Sequence, residues 1–219
     1  MAAIPMSQKG QELLKLYKDM ADKGYNKTAG SFVPVAYADF GLSGYKQVIK
    51  PVLEQFGIAT VLDYGCGGSD WSAPGFDESG QSAIEYFGLS AVAKYEPARN
   101  IDQRGISDCV ICFDVLEHVH ILDVRNVLVD IFRNAAKLAI INVACYSAAA
   151  LLPNGENAHI TVRQPLWWKG LIDSISVDFP NVAVWLLCST GWHNTTAYAI
   201  WKAGDWAAQD GFVVKDGFY

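Results

Sequence analysis

A carboxylate and three glycines stand close together in residues 60–71, TVLDYGCGGSDW. The apolar run before them, residues 58–62, is rich in β-branched side chains and is typical of a buried parallel strand. Because Gly65 and Gly67 lack a Cβ, the chain can adopt positive φ angles there and turn backbone N–H groups toward a ligand. Asp63 stands at the carboxyl end of the strand, where open α/β sheets bind their ligands. The pattern predicts a ligand-binding loop.

Two common nucleotide-binding motifs do not match this loop. A dinucleotide fingerprint needs a glycine at its sixth position, where this chain has Asp70. A P-loop needs a lysine followed by serine or threonine, and the loop contains no lysine. What remains is an acid two residues before Gly-x-Gly, and the simpler alternative is a glycine turn between any strand and helix.

A second carboxylate, Glu96, follows a predicted strand at residues 91–95 and precedes Pro97. An acid at the end of the strand after a glycine loop can accept hydrogen bonds from both ribose hydroxyls of a nucleotide. The alternative is a solvated glutamate at a strand end. Residues 108–113 predict another buried strand, and Asp114 follows it directly.

Two histidines are candidates for a general base, because imidazole titrates near neutral pH. His118 lies just beyond the strand at 108–113, in DVLEHV, and its alternative role is to hold the loop by hydrogen bonding. His159 closes the polar cluster PNGENAH, in which Asn157 and His159 are predicted to contact the substrate. The alternative is a loop that its own Asx turns hold in shape.

Trp167 and Trp168 begin a predicted helix after Pro165, so their side chains point in different directions. One tryptophan is expected in the core. The other, which we assign as Trp168, is expected to form the floor of a substrate pocket.

The composition limits the class of protein. A chain of 219 residues with a hydrophobic fraction of 51% predicts one domain with a sizeable core. A net charge of −6 and a pI near 5.1 argue against non-specific nucleic-acid binding, so a small-molecule partner is expected. No apolar run reaches the length of about 18 residues that predicts a membrane span, and the N-terminus lacks a signal-peptide pattern. The oligomeric state stays open.

The five cysteines have no disulfide-framework spacing, which suits a reducing compartment, and a cytoplasmic location is expected. Cys109 and Cys112 form a CxxC, but apolar neighbours place it in a strand and not at a helix N-terminus, so no redox chemistry is expected. No second ligand pair stands at zinc-finger spacing, and no metal site is predicted.

Hydrophobic periodicity divides the chain into an N-terminal extension, residues 1–57, and a core, residues 58–219. The extension contains two amphipathic helices, at 11–23 and 43–56, and the ordered loop between them, at 24–40, is expected to act as a lid.

In the core, strands and helices alternate, which implies parallel pairing with right-handed crossovers. An irregular segment at 72–80 delays the first core helix to about 81–87. Strands at 182–188 and 196–202 are close enough to form an antiparallel hairpin. The predicted fold class is therefore α/β, with a mostly parallel, Rossmann-like sheet and a C-terminal antiparallel hairpin.

Four stretches, VLDYGCG, YEPA, CFDVLEHV and LPNGENAHITVRQPLWW, resemble segments of a group of small bacterial and phage class I S-adenosylmethionine-dependent methyltransferase-like proteins. The segments of that group read LDYGCGKG, YDPA, TDVLEHI, and LPNGENAH followed by PxxWW. The resemblance runs from residue 61 to residue 168, and it implies the class I methyltransferase fold.

The resemblance also implies S-adenosylmethionine as cofactor. Glu96 would bind the ribose, where the group usually has Asp, and Asp114 would lie beside the methionine end. This chain departs from the group with Gly68-Ser69 in place of Lys-Gly. The implied cofactor contacts are Asp63, Tyr64, Gly65, Cys66, Gly67, Glu96, Pro97, Asp114 and Val115.

The resulting hypothesis is an S-adenosylmethionine-dependent methyltransferase that acts on a small-molecule hydroxyl or amine. The alternatives are an RNA or protein methyltransferase and a non-catalytic S-adenosylmethionine-binding protein. No Asn-Pro-Pro-Tyr or Asp-Pro-Pro-Tyr follows the strand at 108–113, which disfavours methylation of an exocyclic base amine.

Overall fold

The computed structural model describes residues 4–36, 41–191 and 194–203, together with the backbone of 211–215. The last part of the predicted lid, residues 37–40, lies outside the described residues. The N-terminal elements are helix α1 (Gln8–Lys23), strands β1 (Tyr25–Lys27) and β2 (Phe32–Val33), and helix α2 (Lys46–Gln55).

Strands and helices alternate through the first part of the core, as predicted. Ser82 caps the first helix of the core, Ala83–Phe87. The irregular segment at 72–80 precedes this helix, which confirms that the helix begins late after the loop. The elements are β3 (Thr60–Tyr64), α3 (Ala83–Phe87), β4 (Ala91–Glu96), β5 (Ile101–Asp102), β6 (Ser107–Phe113), α4 (Ile121–Asn134) and β7 (Ala135–Ala144).

The C-terminal elements are β8 (Ala150–Leu151), α5 (Pro165–Ser176), β9 (Ala183–Gly191), β10 (Asn194–Tyr198) and β11 (Gly211–Lys215). Strands β9 and β10 pair antiparallel, which confirms the predicted hairpin. Strand β11, which was not predicted, pairs antiparallel with β10.

Eight strands of the described chain form one sheet in the order β11-β10-β9-β7-β6-β3-β4-β5. Strand β3 pairs in parallel with β4 on one side and with β6 on the other. The chain order reverses at β3, and in open α/β sheets ligands bind beside the carboxyl ends of the strands at such a point. The fold is thus α/β with a mostly parallel, Rossmann-like sheet, and Asp63, Glu96 and Asp114 lie at or just beyond its carboxyl edge.

Apolar side chains cover both faces of this sheet, because neighbouring residues of a strand point to opposite sides. Leu62 packs with buried residues of α4 and α5, whereas Val61 packs with buried residues of α2 and α3. The helices therefore form a layer on each face, as expected for a parallel sheet. No helix of the described residues has the length and apolar character that a membrane crossing needs.

The N-terminal extension is joined to the core through hydrogen bonds and a second, small sheet. Strand β1 pairs with β2 and also with β8 of the core. At the start of α1, Ser7 donates its backbone N–H and its hydroxyl to the buried carboxylate of Asp123, at 2.6 and 2.7 Å. Further along α1, the Tyr17 hydroxyl donates to the carbonyl oxygens of His118 and Ala158. Helix α1 is thereby held beside the loops that follow β6 and β7.

The contact between α1 and Asp123 generates a stability prediction with a matched control. A Cβ added at Gly10 would lie 2.1 Å from Asp123 Oδ2, whereas one added at Gly170 in α5 meets no atom within 4 Å. Alanine favours a helix over glycine by about 1 kcal/mol. We expect Gly170→Ala to stabilise the protein by up to about 1 kcal/mol and Gly10→Ala to destabilise it by about 1–3 kcal/mol. Urea unfolding followed by tryptophan fluorescence measures both, and equal stabilisation would contradict the α1–Asp123 contact.

Candidate functional site

The loop after β3 adopts the backbone conformation that its glycines predict. Gly65 and Gly67 have φ angles of 79° and 51°. The N–H groups of Gly65 and Cys66 donate to the Tyr95 carbonyl at 2.7 and 3.1 Å, and Gly67 donates to Glu96 Oε2 at 3.1 Å. These three N–H groups therefore bind the end of β4, which accepts their hydrogen bonds.

Gly65 is required by close packing as well as by its φ angle. A Cβ at this position would lie 2.2 Å from Cγ2 of Val115, the second residue after β6. Val115 therefore occupies the space that the missing side chain leaves. This contact brings the segment after β6 directly against the loop after β3.

The Glu96 carboxylate joins the loop to the turn that follows β4. Its Oε2 accepts from Gly67, and its Oε1 accepts from the Ala98 N–H at 3.0 Å. Burial raises the pKa of this carboxyl, and the two backbone donors oppose the rise. A carboxylate offers about four acceptor sites, so two donors leave room for about two more. Two ribose hydroxyls match this remaining capacity, and the residue fits the nucleoside part of the implied cofactor.

Asp63 is buried, and its side chain organises the segment after the glycines. Its Oδ2 accepts from the Ser69 hydroxyl at 2.6 Å and from the Trp71 indole N–H at 2.7 Å. Burial raises the pKa of Asp63, while Ser69, Trp71 and Lys94 lower it. Ser69 is one of the two positions at which the chain departs from the group that it resembles, and its hydroxyl compensates the buried carboxylate. Sequence reasoning did not find the partners Ser69 and Trp71.

Asp114 follows β6 in a left-handed conformation, with φ of 54°, which is uncommon for a residue with a side chain. Its side chain is exposed. A Cβ built on Gly41 would lie 3.1 Å from Asp114 Oδ2, so the N-terminal extension passes beside this carboxylate. Backbone strain of this kind is concentrated at functional sites.

The other implied cofactor contacts differ in their surroundings. Tyr64 is buried on the α4 and α5 face of the sheet, and its hydroxyl donates to Asp130 Oδ2 at 3.0 Å. Its ring therefore belongs to the core, and only its backbone borders the loop. Cys66 is buried within the loop, and Pro97 begins the short turn after Glu96.

Three side chains form a second cluster beyond the ends of β6 and β7: Glu117, His118 and His159. Each offers one nitrogen or oxygen atom, and these three atoms lie within 4.8 Å of one another. Glu117 is fully buried, and its Oε1 accepts from the Ala144 N–H at 2.7 Å. Its Oε2 has no hydrogen-bond partner among the described residues. Burial raises the pKa of Glu117 well above its ordinary value.

Backbone carbonyls fix both imidazole rings of this cluster. His118 Nδ1 lies 2.8 Å from the Ala158 carbonyl oxygen, and His159 Nδ1 lies 2.5 Å from the Tyr146 carbonyl oxygen. A carbonyl only accepts, so each Nδ1 carries the proton and each Nε2 carries a lone pair. Burial, together with the nearby His159, lowers the pKa of His118 to about 3, and burial lowers the pKa of His159. Both shifts favour the neutral form of the imidazole.

A cavity of about 340 Å³ adjoins His159. Asn157 also borders it, but its side chain bonds to both backbone groups of Ala148 and to the His159 N–H. Asn157 therefore holds the loop in shape, which was the alternative for this polar cluster. The complete lining is Lys9, His120, Ile121, Glu156, Asn157, His159, Ile160, Thr161 and Arg163.

The structure corrects the assignment of Trp168 as a substrate contact. Its side chain is 0% exposed and packs with the core residues of α4 and the sheet. Trp167, the preceding residue, is half-buried and packs edge-on against it. The helical spacing correctly separated the two tryptophans, but α5 turns Trp168 toward the sheet.

Sequence reasoning missed Glu117 as a site residue. The available signal was an acid beside a histidine in a stretch that is otherwise apolar. Its full burial and its closeness to His159 depend on how the two loops pack, which a local pattern does not contain.

Comparison with solved structures finds the crystal structure of the N-terminal domain of EvdMO1 in the presence of SAH and D-fucose. The match has 17% sequence identity and a TM-score of 0.26, and it covers 60% of this chain and 63% of that chain. A similarity this weak carries no argument about function. No protein-family model and no curated protein matches the chain.

The contact of Gly65 with Val115 predicts a difference between two glycine substitutions. Gly65 and Gly75 have similar φ angles, of 79° and 87°, but only a Cβ at Gly65 meets another side chain. Both alanine variants carry a left-handed penalty of about 1–2 kcal/mol. Gly65→Ala should lose about 1–3 kcal/mol more because of overpacking.

Urea unfolding of both variants measures this difference. Adding Val115→Ala to Gly65→Ala removes the Cγ2 atom in the clash and should recover part of the loss. Equal destabilisation by Gly65→Ala and Gly75→Ala would show that Val115 does not lie against the loop.

Proposed function

We propose that this protein is an S-adenosylmethionine-dependent methyltransferase. The observation that carries the proposal is the Glu96 carboxylate, which anchors the glycine loop at the reversal point of the sheet and keeps acceptor capacity for two hydroxyls. The motif resemblance and the α/β fold support the same class. The weak similarity to EvdMO1 contributes nothing to this argument.

The residues at the carboxyl edge fit the parts of this cofactor. Glu96 would accept hydrogen bonds from the ribose hydroxyls, and the backbone of residues 65–67 would border the nucleoside. Asp114, exposed after β6 and beside the N-terminal extension, would face the charged methionine end. When bound, the cofactor supplies an electrophilic methyl group on a sulfonium, and the protein supplies alignment.

For the acceptor, we propose a small molecule with a hydroxyl or amine. The cavity beside His159 has about 340 Å³, which lies within the range of small-molecule sites. His159 Nε2 carries a lone pair and could accept a proton from an acceptor that enters there. His118 does not line the cavity, and its hydrogen bond to Ala158 makes it a positioning residue. Lys9, Glu156 and Arg163 give the cavity polar groups that can orient a substrate.

Calorimetry with S-adenosylhomocysteine tests the cofactor assignment. We expect the wild-type protein to bind it, and Glu96→Gln to bind it at least about tenfold more weakly, because a charged acceptor is replaced by a neutral one. Glu54→Gln is the matched control, since Glu54 is exposed on α2 and its side chain forms a long ion pair with Lys50, at 3.8 Å. Absence of binding to the wild-type protein at millimolar ligand would refute the proposal.

Transfer from cofactor with a labelled methyl group tests the acceptor class. Wild-type protein incubated with a small-metabolite extract, total RNA or total protein should label only the metabolite fraction, because the cavity is small and the net charge is −6. Label in RNA or protein would overturn the small-molecule assignment. Binding of cofactor without transfer to any fraction would favour a non-catalytic binding protein.

A further inference from the structure

We propose that Glu117, His118 and His159 bind one divalent transition-metal ion. Their candidate ligand atoms come from the segments after β6 and β7, and they lie within 4.8 Å of one another. Two imidazoles and one carboxylate form a ligand set that occurs in zinc and non-haem iron(II) sites.

The two histidines are arranged as metal ligands usually are. A ligating histidine almost always donates its other ring N–H to a carbonyl or carboxylate, which fixes the tautomer and the ring orientation. His118 and His159 both do so, toward the carbonyls of Ala158 and Tyr146. Both Nε2 atoms therefore have a lone pair available for a metal ion, and no proton has to move before the ion binds.

Glu117 supplies the independent observation. Its side chain is 0% exposed, and Oε2 has no partner among the described residues. A buried carboxylate with one unpartnered oxygen is costly. A dication would supply both the missing partner and the opposite charge. The same group that is unfavourable in the metal-free protein becomes a ligand in the metal-bound one.

The distances require only a small adjustment. Ligands that lie about 2.0–2.2 Å from a tetrahedral ion are separated by about 3.3–3.6 Å. The widest separation here is at most 4.8 Å, so the ligands would have to approach by up to about 1.2–1.5 Å.

The ligand types also determine which ions should bind. Imidazole suits zinc, iron and cobalt, whereas magnesium and calcium prefer sites made of oxygen atoms. Three protein ligands leave at least one coordination position for water or another molecule. His159 belongs both to the cluster and to the lining of the cavity, so the ion would lie close to the proposed acceptor site.

This inference does not depend on the proposed methyltransferase activity. It does change the role of His159, because one Nε2 lone pair cannot ligate a metal and accept a proton at the same time. In the metal-bound protein, an ion that lowers the pKa of a bound hydroxyl would replace His159 as the means of activating the acceptor.

Cobalt(II) titration of chelator-treated protein tests the proposal. We expect saturation near one ion per chain, with an absorption spectrum of nitrogen and oxygen ligation that zinc abolishes by competition. Millimolar magnesium or calcium should leave the spectrum unchanged. Glu117→Gln and His159→Gln should each weaken cobalt binding by at least about tenfold, because each variant removes a ligand. Glu54→Gln is the matched control for Glu117→Gln, since Glu54 is exposed on α2 and lies outside the cluster.

Circular dichroism of each variant confirms that it is folded before cobalt is added. The proposal fails if the wild-type protein does not bind cobalt, or if folded Glu117→Gln and His159→Gln keep the wild-type affinity and spectrum. Calorimetry with S-adenosylhomocysteine on the same samples separates the two proposals. Glu96→Gln should lose cofactor affinity and keep cobalt, whereas Glu117→Gln should lose cobalt and keep cofactor affinity.

Discussion

The loop after β3 is bonded to the end of β4, and the arrangement of the carboxyl edge depends on this contact. The Tyr95 carbonyl and the Glu96 carboxylate together accept three consecutive backbone N–H groups, those of residues 65–67. With the loop held there, the bare Cα of Gly65 leaves a space for Val115 and so draws in the segment after β6. Two glycines and one acid thereby bring the ends of three strands together.

Two buried carboxylates near this edge differ in how many hydrogen-bond donors they have. Asp63 has donors from Ser69 and Trp71, and Lys94 adds a favourable charge, so its burial is partly compensated inside the protein. Glu117 has one backbone donor and one oxygen without a partner. A buried carboxylate oxygen without a hydrogen-bond partner costs stability. The unpartnered oxygen of Glu117 beside the two imidazole rings therefore indicates a requirement other than stability.

The N-terminal extension contacts the segments that carry the candidate site residues. Helix α1 is fixed at its start by Asp123 and in its second half by the two carbonyls that accept from Tyr17. One of those carbonyls belongs to Ala158, which also accepts from His118. The Ala158 carbonyl therefore links the extension, the loop after β6 and the loop after β7 through hydrogen bonds. A displacement of any of these three segments would alter the hydrogen bond that orients the His118 ring.

The sequence by itself determined the α/β class, the order of the main strands and helices, the glycine conformations and the antiparallel hairpin. These features depend on local periodicity and on the φ angles that single residues allow. Only the tertiary structure decided where side chains point across long distances. In the tertiary structure Trp168 is buried, and the N–H groups of the loop after β3 donate to the end of β4. Strand β1 pairs with β8, and Glu117 lies close to His159. Such contacts depend on the packing of whole elements, since burial and the pairing of polar groups are properties of the assembled core and not of any one segment.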